Sequence, residues 1–87
     1  EAISFVINCD NQDEVDYYWQ ELTANGGQES MCGWLKDPFG VSWQVVPRQL
    51  TKLLNSEDGD ANERAVKAML SMKKLNINKL INARKAL

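Results

Sequence analysis

Histidine is absent from this chain of 87 residues, so no imidazole is available as a metal ligand or a general base. Cysteine is scarce: Cys9 and Cys32 stand alone, without the paired spacing of a zinc site or a disulfide framework. Both read as small buried hydrophobes on strands. Cys9, just ahead of a helix start, is the one thiol with any claim to reactivity. Glycine clusters are missing as well. The one pair, Gly26-Gly27, ends a helical segment instead of opening one, which is the wrong place for a nucleotide- or S-adenosylmethionine-binding turn. No apolar run approaches the roughly 20 residues that span a bilayer, and no leader is recognisable, so a cytoplasmic setting is the expectation. A net charge of −2 with dispersed basic residues gives no footprint for nucleic acid. Lys73-Lys74 and Arg84-Lys85 are expected in the last turns of helices, where cations favour the dipole.

What is present is ordinary for a folded domain: 44% hydrophobic and 25% charged residues. The length is near the lower end of what buries a self-sufficient core. Residues 2–9 alternate as a strand. Asp10 or Asn11 then caps a helix, with Asp13 or Glu14 three residues on in a capping-box arrangement. Val15, Tyr18, Trp19 and Leu22 recur at helical spacing and form its apolar stripe, while Tyr17 falls off it. Asn25-Gly26-Gly27 predicts a left-handed C-cap. Residues 28–31 are a short edge, followed by strands over 32–36 and 41–46, the last closed by Pro47. A short helix over 48–54 carries Leu50, Leu53 and Leu54, and a polar break follows at 55–60. The pattern then predicts an amphipathic helix over 61–75 through Val66, Met69, Leu70 and Met72. A last helix, capped by Asn76, carries Ile77, Leu80, Ile81 and Leu87.

The stretch Cys32-Gly-Trp-Leu-Lys-Asp-Pro-Phe-Gly-Val-Ser-Trp-Gln-Val-Val-Pro47 is the most telling. Asp37-Pro38-Phe39-Gly40 is a tight turn between two strands, with Pro38 fixing φ and Gly40 free to take a positive one. Beyond it, Val41, Trp43 and Val45 point one way and Ser42, Gln44 and Val46 the other. Trp43 and Trp19 are expected between sheet and helix; the register of its short strand leaves the face of Trp34 open.

This ordered set of a strand, an Asn-Cys-Asp cap, an aromatic helix, Gly-Gly, Gly-Trp, Asp-Pro-Phe-Gly and Trp-Gln carries a resemblance. From Ile3 to Leu54 the chain resembles the PhnB-like branch of the vicinal-oxygen-chelate (glyoxalase/bleomycin-resistance/dioxygenase) superfamily. That branch is often labelled 3-demethylubiquinone-9 3-methyltransferase, and the helical tail is similar to it too. The resemblance implies an α+β fold: a single βαβββ glyoxalase-like half-module over 1–47, then two or three helices over 48–87 packing on the sheet or on a dimer partner. The superfamily builds its sites from two such modules. Since the chain begins at Glu1 without methionine, a missing N-terminal module or a homodimer is expected to supply the second.

In metal-using members a glutamate after the Asp-Pro-x-Gly turn coordinates a divalent ion, and that position falls on Gln44. A neutral amide is a weak ligand for a hard cation, and the first strand offers only Ser4, Asn8 and Cys9 as polar side chains. Hence no metal site is expected from this chain alone, and no cofactor beyond a divalent metal shared with a second module. Gln44 instead stands as the polar anchor of a small-molecule pocket with Ser42 and Trp34, or as an amide satisfied within the sheet. The first-turn acids Asp13, Glu14 and Asp16 suit the helix dipole, and Lys36-Asp37 reads as a solvated turn. The leading expectation is a small-molecule-binding module working as a dimer. The alternatives are a metal-dependent lyase, isomerase or dioxygenase completed by a second module, the methyltransferase of the family label, and an interaction-only dimerisation domain.

Overall fold

The computed structural model describes residues 3–85. Its elements are β1 (Ser4–Cys9), α1 (Gln12–Thr23), β2 (Gln28–Glu29), β3 (Trp34–Lys36), β4 (Ser42–Pro47), α2 (Leu50–Leu54), α3 (Gly59–Leu70) and α4 (Ile77–Lys85). The fold is α+β, and the β-α-β-β-β order is the one expected. The sheet runs β1-β4-β3-β2, with β1 parallel to β4 and the other pairs antiparallel. Thus the first and last strands are neighbours at one side, and β1 is an edge. Ala2 and Leu87, placed by the sequence at the start of β1 and on α4, lie outside the described residues.

Asn11 is the residue that caps α1. Its Oδ1 accepts from the Glu14 N–H at 2.9 Å, while the Glu14 carboxylate reaches back to the Asp10 N–H at 2.8 Å. Val15 and Trp19 are buried one turn apart and Leu22 partly so, pressed against Cys9, Leu35 and Val45 of the sheet. Ile7 and Trp43 flank this core. Tyr18 departs from the expected stripe: it lies at the surface, edge-on to Tyr17 at 5.2 Å between ring centroids. The sheet is too narrow to cover it, and the phenol keeps its hydroxyl near water. The helix ends through left-handed Asn25 and Gly26, as the Asn-Gly-Gly run predicts.

Two expectations about the tail fail. Helix α3 stops at Leu70, which is 58% exposed, so the stripe does not continue to Leu75. The buried face is instead Ala61 and Ala65, whose small side chains let α4 approach closely with its Ile77 and Leu80. Large apolar residues outweigh alanine in a hydrophobic pattern, but packing favours whichever face permits contact. Lys73 and Lys74 therefore fall outside any helix, and Lys74 pairs with Asp16 at 2.8 Å. Asp16 is an ion-pair partner and not simply a dipole acid. Cys32 is likewise not on a strand: it sits in a turn with φ of +58°, and only Cys9 is strand-borne and fully buried.

Arg84 closes the helical layer. It donates to the Leu53 carbonyl at 2.6 Å, to Asn62 Oδ1 at 2.8 Å and to Ser56 Oγ at 2.7 Å, tying α2, the polar break and α3 to α4. The tail joins the βαβββ unit through residues 72–77. Gln12 is one link: its Nε2 donates to the Leu75 carbonyl at 3.0 Å and its Oε1 accepts from the Ile77 N–H at 2.7 Å.

Leu35 is 1% exposed at the centre of the sheet–helix core. Leu35→Ala should cost about 2–5 kcal/mol, the range for leucine truncation in a packed core. Chemical denaturation of the variant should show a matching fall in midpoint, with Leu70→Ala near parental as a surface control.

Candidate functional site

The strand registers settle which residues share the face turned away from α1. Gln44 is paired with Trp34 on β3 and with Val6 on β1, so the three form one row across the sheet. Ser42 is flanked by Ser4 and Lys36 in the next row, and Val46 by Asn8. The opposite face is confirmed by Phe5 and Trp43, paired in register with ring centroids 5.0 Å apart. Gln44, Ser42 and Trp34 are thus brought together, and the face of Trp34, open from sequence, is the one Gln44 occupies.

This face is uncovered along most of its length. Val6 is 54% exposed, and Ser4, Asn8 and Lys36 are also at the surface; only Val46, at one end, is buried. Helix α1 covers the other face, while α2, α3 and α4 pack mainly on one another. Gln44 Nε2 donates to the Cys32 carbonyl at 3.3 Å. That bond fixes the amide's orientation and directs Oε1 away from it. Two concavities lie on the tail, along α3 and around residues 71–79, and neither is lined by Gln44, Ser42 or Trp34.

The chemistry of the face is predominantly polar: three amides (Asn8, Gln28 and Gln44), two hydroxyls and one ammonium, with the Trp34 indole, Val6 and Val46 as its apolar part. No carboxylate or thiolate stands beside Gln44 in these rows, and Cys9 points to the opposite, buried face. Among the described residues no three His, Cys, Asp or Glu side chains come together as a metal site. With a lysine on the face and neutral donors only, the donor set does not fit a divalent ion on this chain alone. The Cys9 thiol has its pKa raised by burial and then by the nearby Glu14 charge, which leaves it a poor nucleophile.

Asp37 is the site residue that sequence reasoning missed. It was read as a solvated turn charge, yet its Oδ2 accepts from the Trp43 indole at 3.0 Å and its Oδ1 from the N–H groups of Phe39 and Val41 at 2.9 and 3.0 Å. Its carbonyl closes the turn with the Gly40 N–H at 2.9 Å. One carboxylate thereby sets the register of the hairpin that carries both Trp34 and Gln44. The signal was available, since aspartate opening a Pro-containing turn commonly bonds the backbone two residues on. The Trp43 contact spans six residues and needed the strand twist to be known.

The 3-demethylubiquinone-9 3-methyltransferase family model matches residues 1–46, just over half of the chain. The chain belongs to this family. The match covers β1 through nearly all of β4, so the uncovered face and the Asp37 turn fall within it. No curated protein matches the chain. No helix among the described residues is long and apolar enough to cross a membrane.

The Asp37 carboxyl is held below its ordinary pKa first by the Trp43 indole and then by backbone N–H groups; Asp16 is held low first by Lys74 and then by Gln12. A group with a depressed folded pKa stabilises the fold above its unfolded value, about 3.9 for aspartate, and loses that effect as pH falls through the folded value. Asp37→Asn should therefore lower the denaturation midpoint at neutral pH. Its gap from the parent should close as pH drops below about 3.9; a gap independent of pH would contradict the carboxylate's role.

Proposed function

We propose that this protein is a vicinal-oxygen-chelate-type module of the PhnB-like kind, and that its uncovered sheet face is half of a small-molecule groove. The observation that carries this reading is the row Val6–Gln44–Trp34, an exposed valine beside a half-buried amide and indole, on a sheet whose other face packs on α1. A sheet normally buries both faces or solvates a polar one. This one sets an indole and an aliphatic side chain beside an oriented amide, the mixture found in ligand pockets. The ligand class that fits is a small organic molecule with an apolar body and an acidic or hydrogen-bonding group, met by Gln44, Ser42 and Lys36.

The other half of the groove comes from a second module. β1 is an edge strand of six residues with Phe5 and Val6 exposed, an arrangement that invites pairing. A second copy of the chain is the economical source, and an N-terminal module the other. Two unpaired cysteines accord with a cytoplasmic setting. The metal-dependent reading requires the second module to bring every strong ligand. The methyltransferase reading requires a nucleotide site that Gly26-Gly27, at the C-terminal end of α1, does not build.

A thermal-shift panel of small aromatic and aliphatic carboxylic acids tests the groove. A binder should raise the melting temperature, because ligand bound to the native state adds stability. Gln44→Ala should weaken it at least tenfold, about 1.4 kcal/mol. A panel without a hit, or a hit indifferent to Gln44→Ala, would remove this reading. For the assembly, sedimentation should give twice the chain mass, and Val6→Lys should shift it towards monomer. A well-folded monomer at high micromolar concentration would count against the homodimer.

A further inference from the structure

We propose that tail residues 72–75 set the orientation of the Gln44 amide, acting through the Cys32-Gly33 turn that lies between them. In one direction the Cys32 N–H donates to the Met72 carbonyl and the Gly33 N–H to the Lys73 carbonyl, both at 2.8 Å. In the other, the Cys32 carbonyl accepts from Gln44 Nε2 at 3.3 Å and the Gly33 carbonyl from the Val45 N–H at 2.8 Å. Both residues are therefore engaged on two sides, by the tail through their N–H groups and by β4 through their carbonyls.

The turn itself is under constraint. Cys32 has φ of +58° and Gly33 +84°. A non-glycine residue in the left-handed region is strained and persists where its surroundings over-determine it. Here the tail is part of those surroundings. A Cβ at Gly33 would stand 2.9 Å from the Val45 carbonyl oxygen and 3.0 Å from Leu75 Cδ1, so the turn is sandwiched between strand and tail. Withdrawing residues 72–73 leaves two N–H groups without partners and lets Cys32 relax, carrying its carbonyl away from Gln44.

The tail is held in turn by α1. Gln12 grips the Leu75 carbonyl and the Ile77 N–H, and Asp16 pairs with Lys74. Gln12 and Asp16 are thus positioning residues for a side chain on the opposite face of the sheet. The link runs from α1 to the 72–77 segment, to the 32–33 turn, to Gln44. Its functional meaning rests on the groove reading above, with ligand occupancy and tail docking stabilising each other. The mechanical link is readable without any ligand.

The test is nuclear magnetic resonance of the full chain, following the Gln44 side-chain amide in Gln12→Ala and in Lys74→Ala. Gln12→Ala should move both Gln44 amide protons towards the shifts of a free amide and lower their order parameter. Lys74→Ala should do the same to a smaller degree. The Trp43 indole N–H, anchored on Asp37 on the other face, should keep its position in both variants. Two results overturn the proposal: tail amides over 72–77 that move while Gln44 stays, or Gln44 and Trp43 moving together as in general loosening. If Gln12→Ala does not fold, Lys74→Ala decides by the same criteria. A ligand panel without hits would remove the groove and leave this link standing; an unmoved Gln44 would remove the link and leave the groove.

Discussion

The backbone N–H and carbonyl groups of two adjacent residues, Cys32 and Gly33, join the halves of this protein. Their N–H groups face the tail and their carbonyls face β4, so the sheet and the helical layer share one set of hydrogen bonds. A chain of this length has little core to spare. Its buried residues fall into a sheet–helix group around Val15, Leu35 and Val45 and a tail group around Ala65, Leu75 and Leu80. Leu75, packed on Gly33, is where the two groups meet. The left-handed turn is the geometric condition for that meeting.

The sheet's two faces then divide the labour. One takes α1 and the larger part of the apolar side chains, including the Phe5–Trp43 pair. The other keeps a partly exposed row with an oriented amide at its centre. Family membership over residues 1–46 falls on the part of the chain that builds both faces. The label of that family names a methyl transfer, while the open face carries a ring, amides, hydroxyls and an ammonium. The Asp37 turn locks the hairpin on which the ring and the Gln44 amide stand.

Much of this was legible in the residues because local chemistry and tertiary packing agree over the first half. The Asn11 cap, the Asn-Gly-Gly exit from α1, the Asp-Pro-Phe-Gly turn and the period-two alternation of β4 all say the same thing at different scales. Gln44 and Trp43 could be assigned to opposite faces on alternation alone. The misses share a cause. Tyr18, Leu70 and the end of α3 were judged from apolar spacing, and spacing does not reveal how much partner surface exists. Ala61 and Ala65, outside the expected stripe of Val66, Met69 and Leu70, are the buried residues of α3. The roles of Gln12 and Asp16 are long-range polar contacts, spanning 63 residues for Gln12 to Leu75, and no local rule encodes them.

The way the tail is attached has an evolutionary corollary. Met72 and Lys73 contribute carbonyl oxygens to the junction, a group every amino acid possesses, so substitution at these two positions leaves the junction's donors and acceptors intact. Selection can then alter the side chains there, and with them the rim beside the open face, while the attachment persists. The constraint is displaced onto Gly33, where any added carbon would collide, and onto Leu75, whose bulk fills the seam.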